Sequence, residues 1–62
     1  MKRIYILSNN GTHKNYVKKY DGAYCGFGSR EEAKAFDEKQ AKEVKALLDR
    51  NMGEAFIEEG NQ

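Results

Sequence analysis

The amino-acid sequence predicts a small α+β fold of order β-β-β-α-β: an antiparallel β-meander, one main helix packed on one of its faces, and a short C-terminal strand. Three observations carry that expectation. Residues 29–52 hold the one long helical pattern, in which Ala41, Val44, Leu47 and Leu48 recur by threes and fours and draw a single apolar stripe. Residues 2–8 alternate with the two-residue period of a strand. Asn9-Asn10-Gly11 and Asp21-Gly22 supply the positive φ angles that tight turns between neighbouring strands require.

The first strand covers about 2–8, with Ile4 and Ile6 on one face and Arg3, Tyr5 and Leu7 on the other. The second covers about 14–20, with Val17 inward and Tyr16, Lys18 and Tyr20 on the opposite face. A third strand at 23–27 places Ala23, Cys25 and Phe27 on one side and Tyr24 and Gly26 on the other. Gly26 and Gly28 weaken its end and let the chain turn into a cap at Ser29. Two capping boxes follow, Ser29 with Glu32 and Asp37 with Gln40, which predict a short turn or two over 30–36, a break at Asp37 and a main helix over 38–50. Ala33 and Phe36 plug the end of the core, and Glu38–Lys42 and Lys39–Glu43 are spaced as surface ion pairs. Asn51 or Gly53 stops the helix, 54–59 is a fourth strand with Ala55 and Ile57 opposite Phe56, and Gly60-Asn61-Gln62 is frayed.

Sixty-two residues make one domain, which buries only about 60% of its unfolded surface. Its stability is accordingly a few kcal/mol, since small cores rarely exceed about 3–5 kcal/mol. One cysteine, Cys25, excludes an internal disulfide, and Cys25 with His13 falls short of the four ligands of a closed zinc site. The apolar run 4–7 is too short for a signal peptide or a membrane span, so the expectation is a cytoplasmic protein with no membrane partner. The charge is unevenly divided. Residues 1–28 carry five cations and one anion, net +4, and residues 29–62 carry six cations and nine anions, net −3, together the +1 of the whole chain. A basic side and an acidic side bear on partners rather than on fold.

No catalytic, cofactor or metal signature emerges. The paired carboxylates lie on a helix face or beside lysines, with no apolar pocket to raise a pKa. Cys25 and His13 fall at opposite ends of different strands, so the thiol has no base. Gly26-Phe27-Gly28-Ser29 lacks both the Walker lysine and the glycine spacing of a dinucleotide loop, and reads as a strand-to-helix turn. The runs Y-I-L-S-N-N-G, N-Y-V-K-K-Y-D-G-A-Y and E-A-K-A-F-D, followed by a helix with A-x-x-V-x-x-L-L, resemble small accessory proteins encoded by bacteriophages and prophages, most of them without an assigned function. That resemblance implies a protein working in a bacterial host cell, some such proteins inhibiting host defence systems or host enzymes by binding them; it implies no active site.

What is left is the sheet face that the helix does not cover. With Ile4, Ile6, Val17, Cys25 and Phe27 turned to the helix, the expectation is a contact face formed by Tyr5, Tyr16, Tyr20 and Tyr24, with Arg3 and Lys18 at its rim. The bland reading of the same residues is rings that cover the sheet and pack across strands. Three functions follow. The preferred one is a non-enzymatic protein-binding module, an inhibitor of a host protein or a homodimer, using the tyrosine face or the acidic C-terminal edge at Glu54, Glu58 and Glu59. The alternative is a single-stranded nucleic-acid binder that stacks bases on the same face, against which stand a pI of 7.8 and the acidic second half. The third is an orphan structural domain of a larger assembly.

Overall fold

In the computed structural model, which describes residues 1–8 and 10–60, the alternating segments pair into one four-stranded antiparallel sheet. β1 is Lys2–Ser8, β2 His13–Tyr20, β3 Cys25–Gly28 and β4 Ala55–Glu59, in the spatial order β3-β2-β1-β4. The helix α1 spans Glu38–Asn51 and lies over β1 and β4. The predicted α+β class and element order are those observed. Expectations attached to Asn9, Asn61 and Gln62 lie outside the described residues, while Gly60, expected to fray, is held by its N–H to the carbonyl of Met1 at 2.7 Å.

The local signals act as their chemistry predicts. Asn10 and Gly11 take φ of 60° and 85° in the β1–β2 turn, where the N–H groups of Gly11 and Thr12 both reach the Ser8 carbonyl at 3.1 Å. The Asp37 carboxylate caps α1 by accepting from Gln40 N at 2.8 Å, and Gly53, at φ 95°, lets the chain leave the helix for β4. Asp49 ties the two elements, because its carboxylate accepts from both Lys45 Nζ and Ala55 N at 2.8 Å. Of the two expected helix ion pairs, Glu38–Lys42 is present at 3.7 Å; among the described residues Lys39–Glu43 is not formed.

The core is Ile4, Val17, Phe36, Ala41, Val44, Leu48 and Ala55, flanked by Ile6, Tyr20, Cys25 and Phe27. The apolar stripe of α1 therefore lands on the sheet as predicted, with Leu47 half-buried at its margin and Met52 exposed.

Three elements depart from the sequence reading. β3 begins at Cys25 rather than Ala23, because the Asp21 carboxylate accepts from the N–H groups of Ala23 (3.0 Å) and Tyr24 (2.9 Å) and holds both in the turn. Helical structure within 30–36 is limited to one 3₁₀ turn, Arg30–Glu32, where Glu32 accepts from Ser29 N at 2.9 Å, the reach-back half of the predicted box. Beyond it the chain is extended. β2 carries a bulge: Val17 faces Phe27, yet Lys19 faces Gly26, leaving Lys18 as the extra residue. The bulge shifts the alternation by one, so Tyr20 pairs with Cys25 on the helix side and meets Phe36 edge-on at 6.1 Å.

The extended segment fills a gap in the sheet. β1 and β2 are paired only from Tyr5↔Tyr16 to Ser8↔His13, and residues 34–36 fill the space beyond. Lys34 N donates to the Val17 carbonyl at 2.9 Å, and Lys2 and Phe36 exchange two backbone hydrogen bonds of 2.8 Å. Phe36 is thereby delivered, fully buried, into the gap.

Candidate functional site: the open sheet face

Strand alternation sets Arg3, Tyr5 and Leu7 of β1, Lys14 and Tyr16 of β2, and Phe56 and Glu58 of β4 on the face opposite α1. Tyr5 stands directly across from Tyr16 on one side and Phe56 on the other, with ring centroids 5.3 Å away in both cases. The rings form a row across three strands, and on β3 the row ends at Gly28, opposite Tyr16. The Lys14 ammonium sits over the Tyr5 ring at 4.7 Å from its centroid.

Glu58 anchors the middle of the face. Its carboxylate accepts from the Tyr16 hydroxyl at 2.6 Å and from Arg30 Nε at 3.0 Å, and Arg3 Nη1 lies 3.8 Å away. The Tyr16 hydrogen bond, then Arg30, hold the Glu58 carboxyl below the usual carboxylate range, while burial, then Glu58, push the Tyr16 phenol up. Arg30 comes from the 3₁₀ turn, which crosses β2 on this same side. Gly28 lies under that crossing: a Cβ there would meet the Glu32 carboxylate and Lys18 Cδ, the movable ends of two long side chains. A cleft of about 600 Å³ lies alongside, lined by His13, Lys14, Tyr16, Gly28 and Arg30 among others.

The six residues singled out by sequence are not one patch. Tyr5, Tyr16, Arg3 and Lys18 share the open face. Tyr20 does not, because the bulge turns it to the core, and Tyr24 does not, because it sits 78% exposed in the β2–β3 turn beside the C-terminal end of α1. Tyr16 is on the right face but only 3% exposed, covered by the Arg30–Glu58 pair, so it is a structural ring rather than an accessible one. Arg3 is part-buried, its Nη1 facing Glu58 at 3.8 Å without a hydrogen bond among the described residues, whereas Lys18 is half-exposed with Glu32 at 3.9 Å. No known family, curated protein or solved structure matches this chain. The site must therefore be read from its own chemistry.

That chemistry is apolar and basic. Leu7 and the half-buried Tyr5 and Phe56 make the apolar part, and Lys14, Lys18 and Lys19 the charge. Phe56 belongs to the row through the alternation of β4, a signal legible in the sequence but carrying no weight until β4 is known to lie beside β1. Arg30 and Glu58, 28 residues apart, had no such signal. Among the described residues no cluster of three or more His, Cys, Asp or Glu could hold a metal ion, and no helix is long and apolar enough to cross a membrane.

Proposed function

We propose that this chain is a non-enzymatic protein-binding module of the kind phages use to block a host protein, and that the Phe56–Tyr5 part of the open face is its contact surface. The observation that supports the reading is the aromatic row itself: planar rings on a rigid sheet, left uncovered by the helix and topped by Lys14. Rings of this kind offer contact area at low entropic cost. The surrounding lysines select a partner that presents an apolar patch bordered by carboxylates. Tyr16, Glu58 and Arg30 hold the surface in shape beneath the contact.

The test is parallel affinity capture from bacterial lysate with the wild type and with Tyr5→Ala, Phe56→Ala and Lys14→Glu, followed by titration of whatever protein is retained. A specific protein whose affinity falls at least about tenfold in Tyr5→Ala and Phe56→Ala supports the reading. For Lys14→Glu the expected loss is mainly in association rate, with salt acting the same way. A captured protein indifferent to all three moves the site elsewhere. Titration of a labelled single-stranded oligonucleotide examines the other reading: tight binding that collapses with salt, as counterion release demands, would replace the protein partner by a nucleic acid.

A further inference from the structure

The two edges of the sheet are not alike. Lys2 turns both its peptide groups to Phe36, away from β4, so by antiparallel alternation Arg3 and Tyr5 bond to β4 and the groups of Ala55, Ile57 and Glu59 point outward. That edge is obstructed, because Asp49 already takes the Ala55 N–H and the strand ends in Glu58 and Glu59. At the other edge, the Val17 carbonyl is turned to Lys34, so Tyr16 bonds to Gly28, and the peptide groups of Cys25 and Phe27 point outward. No charged side chain belongs to β3, whose open-face positions are glycines.

Beside that free edge lies an apolar groove. Because α1 lies over β1 and β4, a space of about 350 Å³ remains between β3 and the C-terminal end of the helix, lined by Tyr24, Cys25, Phe27, Leu47, Leu48 and Met52. Tyr24 and Met52, 78% and 54% exposed, are its rims.

The geometry points to a second copy of this chain as the occupant, paired antiparallel through β3. The strand is self-complementary about Gly26: placing Cys25 opposite the second copy's Phe27 pairs every outward peptide group of both residues and sets glycine against glycine on the open face. Phe27 of each copy then lies at the groove of the other, where it meets apolar side chains. Of the lysines near the axis, Lys18 is already paired with Glu32, at 3.9 Å. A two-fold axis normal to the sheet brings both helices to one side and both open faces to the other. The dimer would present two Tyr5–Phe56 surfaces side by side, a bivalent arrangement.

Sedimentation of the purified chain alone, over a wide range of concentration, is the test, and it needs no host partner. The expected result is a reversible dimer whose dissociation constant rises at least about tenfold in Tyr24→Glu and Met52→Glu, two exposed positions where melting curves should hardly change. In the predicted register the two Cys25 residues are diagonal neighbours about 7–8 Å apart, so a short bis-maleimide should join two wild-type chains. A single-chain mass at every concentration overturns the proposal. So does a dimer that the bis-maleimide cannot join, or one broken by Ile57→Lys at the β4 edge and not by Tyr24→Glu.

Discussion

Glu58 is the residue on which most of the open face depends. It accepts from Tyr16 on β2 and Arg30 in the 3₁₀ turn, so three separate elements meet at one carboxylate. Its native pKa is depressed, first by the Tyr16 hydrogen bond. A carboxylate depressed on folding contributes stability that is complete above its unfolded pKa, about 4.3, and is lost as pH falls through the native value. Glu58→Gln should therefore be less stable at neutral pH and lose less on acidification, a difference that melting curves taken from neutral to acid pH will show. A variant that falls as steeply as the wild type would remove Glu58 from the acid response. Tyr16→Phe, which keeps the ring and deletes the donor, should cost about 1–2 kcal/mol in chemical denaturation and raise the Glu58 pKa. Tyr16→Ala is the more damaging change, because this ring is buried.

At the scale of elements, α1 is held by its stripe rather than by its charges. Its ion pairs are exposed and worth a fraction of a kcal/mol each, whereas Ala41, Val44 and Leu48 are sealed against the sheet. Leu48→Ala should cost roughly 2–5 kcal/mol, measured as a shift in denaturant midpoint with unchanged slope. Since a core this size rarely supplies more than about 3–5 kcal/mol, that one substitution should remove much of the stability. A midpoint that hardly moved would mean that the helix is not seated on the sheet as described. The bulge in β2 works at the same scale. By adding Lys18 it sends Tyr20 inward, where its ring meets Phe36.

For the whole molecule, Phe36 is the closing piece. Its backbone joins the connection before α1 to β1, and its ring, wholly buried, touches Tyr20 across the bulge. Phe36→Ala should remove about 3–5 kcal/mol, as much as the fold holds, and leave a chain without a cooperative transition by circular dichroism. A cooperative unfolding curve near that of the wild type would show the gap to be repacked by its neighbours. The molecule is also two-sided. One face is helix and core; the other is the aromatic row with Lys14 above it, and the binding experiments belong to that side.

The sequence by itself determined the elements and most of their faces. Alternation put Ile4, Val17 and Phe27 inward and Tyr5 and Phe56 outward, Asp37 and Gly53 set the ends of α1, and Asn10-Gly11 made the turn, because each of those choices is settled by residues a few positions apart. Only the tertiary structure decided that Tyr20 belongs to the core and that Tyr16 lies beneath Arg30 and Glu58, whereas Tyr24 is held in its turn by Asp21, three positions away. The first two outcomes rest on a one-residue register shift against β3 and on contacts between residues 28 and 42 positions apart. No local pattern carries them, because which residue of β2 is left unpaired against β3, and which distant side chains meet over Tyr16, are settled only when those elements assemble on folding.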